Sequence, residues 1–184
     1  MDKVVFLDRD GVINRDIEGG YVTSWAKFEF LPNVFEALRR LKEYGFRVVI
    51  ISNQAGVGRG LYTEESLAQI TLKMVERVKK EGGNIDDVFY CIHRPDEGCF
   101  CRKPNPGLIK QASLGRNYDL ARAFMVGDSE KDIAAAKAAG VNSILVLSGK
   151  AQVESDADFF GIKPDFIAED LLDAVENVII KQAG

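Results

Sequence analysis

Five short runs of apolar, mostly β-branched or aromatic residues punctuate the chain: Val4 to Leu7, Val48 to Ile51, Val88 to Tyr90, Phe124 to Val126 and Ile144 to Leu147. None alternates with polar residues, as a sheet with one face in water would require. Continuous runs of this length predict strands covered on both faces. Helical patterns fill the gaps. Pro32 suits a first helical position, Val34, Phe35, Leu38 and Leu41 then share one helical face, and Gly45 is placed to stop the helix. Gly56, Gly58 and Gly60 break the loop after the second run, and Thr63 can cap a helix to about Lys80 that Gly82 and Gly83 end. Pro106 opens a shorter helix. Ser129 with Asp132 makes a capping-box pair before an alanine-rich helix ended by Gly140. Asp165 to Ile167 is a candidate sixth strand before a last helix to about Lys181. This βαβα alternation predicts an α/β fold, a doubly wound, Rossmann-like parallel sheet with helices on both faces, in one domain over 1–184. Lys150 to Lys163 shows no pattern beyond completing the sheet.

A net charge of -4 from 24 basic and 28 acidic residues argues against nucleic acid as a bulk partner. It leaves room for a small anionic substrate, because a local cluster of cations reverses the field in one cleft. No run approaches the roughly 20 apolar residues of a membrane helix, and Met1-Asp2-Lys3 leads into too short an apolar stretch for a signal peptide. The three cysteines are odd in number and lie together, unlike a secreted disulfide framework. The expectation is a cytoplasmic protein acting on a small molecule, with a monomer as the default state.

Ligands of such sheets bind outside the carboxyl ends of the strands, where Asp8, Ser52 and Asp128 stand. Asp8 and Asp10 flank Arg9, and two close carboxylates repel unless a cation or a proton is shared. Mg²⁺ prefers oxygen ligands and commonly takes one or two carboxylates plus a phosphate, with Asp128 as a further oxygen. An aspartate is a competent nucleophile toward phosphate, a second one can protonate a leaving alcohol and then activate water, and Ser52 and Lys103 are the right types to hold phosphoryl oxygens. The competing reading of Asp8-Arg9-Asp10-Gly11 is a strand-ending turn, and of Asp128 a helix cap.

Cys91, His93, Cys99 and Cys101 include every cysteine and the one histidine of the chain. Three thiolates and an imidazole complete a tetrahedral set for structural Zn²⁺, with no open position for catalysis. Three free thiols beside a surface histidine are the alternative. A zinc loop here would fix Arg102 and Lys103, which follow it directly.

Val5-Phe6-Leu7-Asp8-Arg9-Asp10-Gly11 resembles the first motif of the haloacid dehalogenase superfamily. Ile50-Ile51-Ser52-Asn53 is similar to its second, Lys103 in Cys-Arg-Lys-Pro to its third, and Val126-Gly127-Asp128-Ser129 with Asp132 to its fourth. The resemblance implies that Asp8 is the nucleophile and Asp10 the general acid/base, the latter also binding Mg²⁺ through its backbone carbonyl. It implies Asp128 as the third metal ligand, with Asp132 one step further out. Neither gap that hosts a cap domain in the superfamily has room for one. The zinc loop before Cys-Arg-Lys-Pro is similar to two capless branches, one acting on D-glycero-D-manno-heptose 1,7-bisphosphate and one on histidinol phosphate. Gly20-Tyr21-Val22 and the stretch from Asn53 to Gly60 favour the first. Gly20, Tyr21 and Asn53 would then bind substrate, and Arg59 and Arg102 would clamp a second phosphate. A phospho-receiver signalling domain, and a zinc-loop module with a dead site, are readings of other classes.

Overall fold

The computed structural model describes residues 1–182. Its sheet has six parallel strands, β1 (Val4–Leu7), β2 (Arg47–Asn53), β3 (Asp87–Cys91), β4 (Phe124–Gly127), β5 (Asn142–Val146) and β6 (Phe166–Ala168), in the order β3-β2-β1-β4-β5-β6. Val5 pairs with Val48 on one side and Phe124 on the other, which sets β1 at the centre. This is the doubly wound order predicted from the alternation, and it differs from the 2-1-3-4-5 order of receiver domains. That reading is dropped.

The strands read as continuous apolar runs because their side chains go to two cores. Val5, Leu7, Val48 and Ile50 pack under α1 (Val34–Glu43) and, beyond the short α2 (Ala55–Gly58), under α3 (Glu64–Lys80). Val4, Phe6, Val49 and Ile51 face α4 (Gly107–Ser113) and α5 (Glu130–Ala139). Period-2 alternation along β1 thus feeds both layers. The C-terminal helix covers the first core as α6 (Leu171–Asp173), π-helical turns over Ala174–Ile179, and α7 (Ile180–Gln182). No inserted cap domain occurs among the described residues, and none of their helices is long and apolar enough to cross a membrane.

Two local expectations change. Helix α1 begins at Val34, not Pro32, because Asn33 takes a left-handed φ of 64° before it. Gly56 and Gly58 do not break a loop but lie within α2. A Cβ on Gly56 would sit 2.4 Å from the Tyr62 ring, and one on Gly58 2.4 Å from the Ile92 carbonyl, so these glycines give clearance rather than flexibility.

Candidate active site

β1 and β4 are adjacent strands whose chain connections run to opposite sides, and the crevice at their carboxyl ends is where this topology holds ligands. Asp8 follows β1, and its backbone N–H donates to the Val126 carbonyl at 2.9 Å, which anchors it to β4. Asp128 follows β4. Asp132 lies on the first turn of α5 and accepts from the Ser129 backbone N–H (3.1 Å) and hydroxyl (2.6 Å), the return half of the expected capping box. Carboxylate oxygens of Asp8, Asp128 and Asp132 lie within 4.8 Å of one another, and all three residues are buried.

Glycines make the room. A Cβ on Gly11 or Gly149 would fall 2.2 or 2.3 Å from Asp128 Oδ2, and one on Gly127 would fall 2.1 Å from Asp132 Cβ. Lys103 supplies the balancing charge. Its Nζ lies 3.0 Å from Asp8 Oδ2, 2.5 Å from Asp132 Oδ1 and 3.0 Å from the Ile51 carbonyl. Three oxygens thus surround the buried ammonium, one as a hydrogen-bond acceptor and two as ion-pair partners. Burial alone would lower its pKa, but the charges of Asp132 and Asp8 win and raise it. One cation cannot neutralise three carboxylates. Burial pushes Asp8 up to about 7, opposed by Lys103 and reinforced by Asp132, Asp128 and Asp10. Asp128 rises to about 6, by burial first and then the charge of Asp132. Asp128 Oδ1 is buried without a hydrogen-bond partner. Excess negative charge and an orphaned oxygen are what a divalent cation would satisfy.

The Asp10 carboxylate stands outside that cluster. The Arg9 guanidinium reaches both its oxygens (2.9 and 3.0 Å), Asn14 donates to Oδ1 (2.9 Å) and Gln54 donates to Oδ2 (2.7 Å). Burial would raise its pKa, but Arg9 and these hydrogen bonds together hold it below the usual carboxylate value. Two aspartates on one extended segment therefore diverge, Asp8 toward the shared-cation cluster and Asp10 toward a fixed donor cage.

The remaining expected residues gather around one cleft of about 390 Å³. Asp8, Asp10, Ser52 and Lys103 line it, as do Gly20, Tyr21, Asn53, Arg59 and Arg102. Asn53 exchanges two hydrogen bonds with the Lys103 backbone (3.0 and 3.1 Å), so it also fixes the lysine, while its second amide N–H stays free at the cleft it lines. Ser52 Oγ accepts from Gln54 at 3.1 Å, which leaves its O–H available.

At the end of β3, Cys91, Cys99 and Cys101 place their sulfurs 3.3–3.5 Å apart, with His93 Nδ1 3.6 Å from Cys91 and 3.2 Å from Cys101. No pair is near a disulfide length of about 2.05 Å. These separations are edges of a compact tetrahedron of donors, and the four residues fit a four-coordinate ion.

Residues 100–174 match the model of a family described as HAD-hydrolase-like. A D-glycero-beta-D-manno-heptose-1,7-bisphosphate 7-phosphatase from Helicobacter pylori J99 is 43% identical over 148 residues, covering 80% of this chain and 84% of that protein. The enzyme of that name from Yersinia pestis is 40% identical over 84% of this chain and 87% of its own length. The crystal structure of a D,D-heptose 1,7-bisphosphate phosphatase from B. bronchiseptica, complexed with magnesium and phosphate, superposes with a TM-score of 0.89 at 36% identity, over 97% and 99% of the two chains. The chain belongs to the heptose bisphosphate phosphatases of the haloacid dehalogenase superfamily.

Around the site of this phosphatase stand further residues that its sequence did not single out. Arg9 is fully buried, sits 5.8 Å from the Tyr90 ring centre and donates to Gln54 Oε1 at 3.1 Å. Gln54 is the hub, donating to Asp10 and Ser52 while accepting from Arg9 and, at 2.5 Å, from the Tyr62 hydroxyl. A strand-end position just after Ser52-Asn53 was the available signal for Gln54. Arg9 had none, since a charged residue between two aspartates reads as surface.

Proposed function

We propose that the protein removes the 7-phosphate of D-glycero-D-manno-heptose 1,7-bisphosphate in a Mg²⁺-dependent reaction through an aspartyl-phosphate on Asp8. The observation that carries this reading is one cleft holding both a buried carboxylate cluster and a cationic wall. Asp8 lies against its single balancing lysine on the floor, and Arg59 and Arg102 line the same cavity. A monophosphate needs only the floor, whereas a bisphosphate also needs the wall. The relatives' names favour the β anomer, which the sequence left open.

Asp8, Asp128 and the backbone carbonyl of Asp10 would hold the Mg²⁺, which when bound supplies positive charge against the phosphoryl oxygens. An Asp8 carboxylate oxygen bonds to phosphorus as the ester P–O bond breaks. Asp10 delivers a proton to the departing sugar oxygen. Asp10 rests ionised in its donor cage, so that proton arrives with the substrate, whose phosphate has a second pKa of about 6. In the second half Asp10 takes a proton from water as the water oxygen bonds to phosphorus and the P–O(Asp8) bond breaks. Ser52 donates its hydroxyl to a phosphoryl oxygen. Lys103 opposes the burial that favours a protonated Asp8 and holds its carboxylate in place. Asp132 acts through Lys103.

Zn²⁺ is the ion we assign to Cys91, His93, Cys99 and Cys101, where four protein donors leave no open position. Unpaired thiols fit a reducing, cytoplasmic setting, and a monomer is our reading of the assembly.

The test is phosphate release with Mg²⁺ from both anomers of the bisphosphate and from histidinol phosphate, with Asp8→Asn as the blank. Preference for the β-bisphosphate, lost in the variant, is the expected result. Preference for histidinol phosphate, whose positive amine suits this wall poorly, would overturn the substrate assignment.

A further inference from the structure

Lys150 opens the one stretch of sequence without a legible pattern, yet the fold brings it to the active site. The segment from Ser148 to Ala151 closes over Asp128. Ser148 Oγ donates to the Gly11 carbonyl (2.8 Å), Lys150 N–H donates to Asp128 Oδ2 (2.8 Å), and Ala151 N–H donates to the Asp128 carbonyl (3.1 Å). Gly149 is required there, since a Cβ would strike the Asp128 carboxylate. The Lys150 side chain then runs into the cleft that Asp8 lines. Its Nζ lies 2.9 Å from Asp16 Oδ2, on the segment leading to Gly20 and Tyr21, and 3.5 Å from Asp128 Oδ2.

The two lysines near the carboxylates differ in what they can still do. Lys103 is 2% exposed and enclosed by three oxygens within 3.0 Å. Lys150 is 58% exposed, with two carboxylate neighbours, one of them at the outer limit of an ion pair. An exposed ion pair of this kind is weak and readily exchanged. Asp128 cannot serve a divalent cation and an ammonium equally well, because the two cations repel across one carboxylate.

We propose that Lys150 is a phosphate-binding cation held in reserve by Asp16 and Asp128, released from Asp128 when that carboxylate takes its metal ion and turned onto the oxygens of the phosphate seated over Asp8. This rests on the reading above that Asp128 is a metal ligand. It adds a substrate contact from the β5 side of the cleft, beside the enclosed Lys103.

The test needs no heptose substrate. Mg²⁺ binding to the intact protein is measured by calorimetry, followed by inorganic phosphate at saturating Mg²⁺. In Lys150→Met, Mg²⁺ is expected to bind roughly tenfold tighter once the competing charge is gone, and phosphate roughly tenfold weaker. Lys150→Arg should keep wild-type values within about twofold for both. Asp16→Asn, which removes the outer partner, should move phosphate about threefold the other way, to tighter binding. A loop that merely collapsed without Lys150 would loosen its grip on Asp128 and weaken Mg²⁺ binding, the opposite sign. Weaker or unchanged Mg²⁺ binding in Lys150→Met, or unchanged phosphate binding, overturns the proposal. Absence of bisphosphate turnover by the wild type would instead sink the functional reading and leave these titrations interpretable.

Discussion

Two donor clusters stand on either side of Lys103, and they are held in place by opposite means. The carboxylates of Asp8, Asp128 and Asp132 hang from strand ends and a helix cap, all buried, with Gly11, Gly127 and Gly149 clearing space for them. Those elements fix their positions, and the energetic problem is crowding of like charge. The Cys91–Cys101 cluster has one ligand on a strand and three on a segment whose regular structure is a single 3-10 turn, Pro95–Glu97. That segment has little apolar burial to order it: Phe100 is 60% exposed. On the ion assignments proposed above, a divalent cation would relieve like-charge crowding in the first cluster and add order to the second.

The largest test of the preorganised side is Asp8→Asn. Phosphate release should fall by roughly 10³-fold or more while the thermal midpoint holds or rises, because a neutral amide replaces a crowded charge. A large loss of stability would mean that the Lys103 ion pairs, not the like-charge crowding, dominate. Next comes Gly149→Ala, whose methyl group meets a carboxylate 2.3 Å away. Displacing Asp128 should weaken Mg²⁺ binding roughly 10- to 100-fold, read by calorimetry, with the spectroscopic signature of the fold intact. Cys99→Ser probes the other side. A thermal midpoint lower by roughly 10 °C and a KM for the bisphosphate raised about tenfold are expected, with Mg²⁺ affinity in the folded protein within about twofold of wild type. If Mg²⁺ binding collapses too, the two clusters are one unit and the comparison fails.

A pH series gives a smaller effect with a definite sign. Folded Asp8 and Asp128 sit at about 7 and about 6 in the ion-free protein, above an unfolded value of about 3.9. Their protonation favours the folded state fully below that unfolded value, and the contribution is lost as pH rises to 7. Mg²⁺ requires the ionised forms, so its apparent affinity should decline as pH falls from 7 to 5.5 while the ion-free protein grows relatively more stable. A flat affinity over that window would show the carboxylates already ionised. The smallest expected effect is that of Tyr62→Phe, which removes one hydroxyl from Gln54. Loss of about 1 kcal/mol in stability and about threefold in kcat would mark Gln54 as the link between Asp10 and Ser52.

What could be read in the sequence tracks how local the determining physics is. Val4 to Leu7 and Ile144 to Leu147 announce doubly covered strands through their own composition, and Ser129 with Asp132 announces a helix start within four residues. The cysteine loop is legible because its chemistry is confined to eleven positions. Ser52 and Asp128 were found by grouping residues at the same end of different strands, and Lys103 by its charge just after the cysteine loop. Asn53 carries a second task that the sequence does not show, since it holds the backbone of Lys103, fifty residues away. Arg9, Gln54 and Lys150 were missed for the same reason. Each is defined by partners on other elements, and nothing in the flanking sequence marks a buried guanidinium or a lysine aimed at Asp128.

The stretch from Gln54 to Gly58 is suspended from the cysteine segment by two main-chain bonds, Gln54 N–H to the Cys91 carbonyl (2.7 Å) and Gly58 N–H to the Ile92 carbonyl (3.0 Å). Cleft wall and metal loop therefore share one hinge. On the functional reading proposed above, a change in the cysteine segment would be felt at the wall. If the proposed ion were lost, the effect would reach the wall through these two bonds and Asp8 through Lys103, which follows Cys101 by two residues and pairs with Asp8 at 3.0 Å.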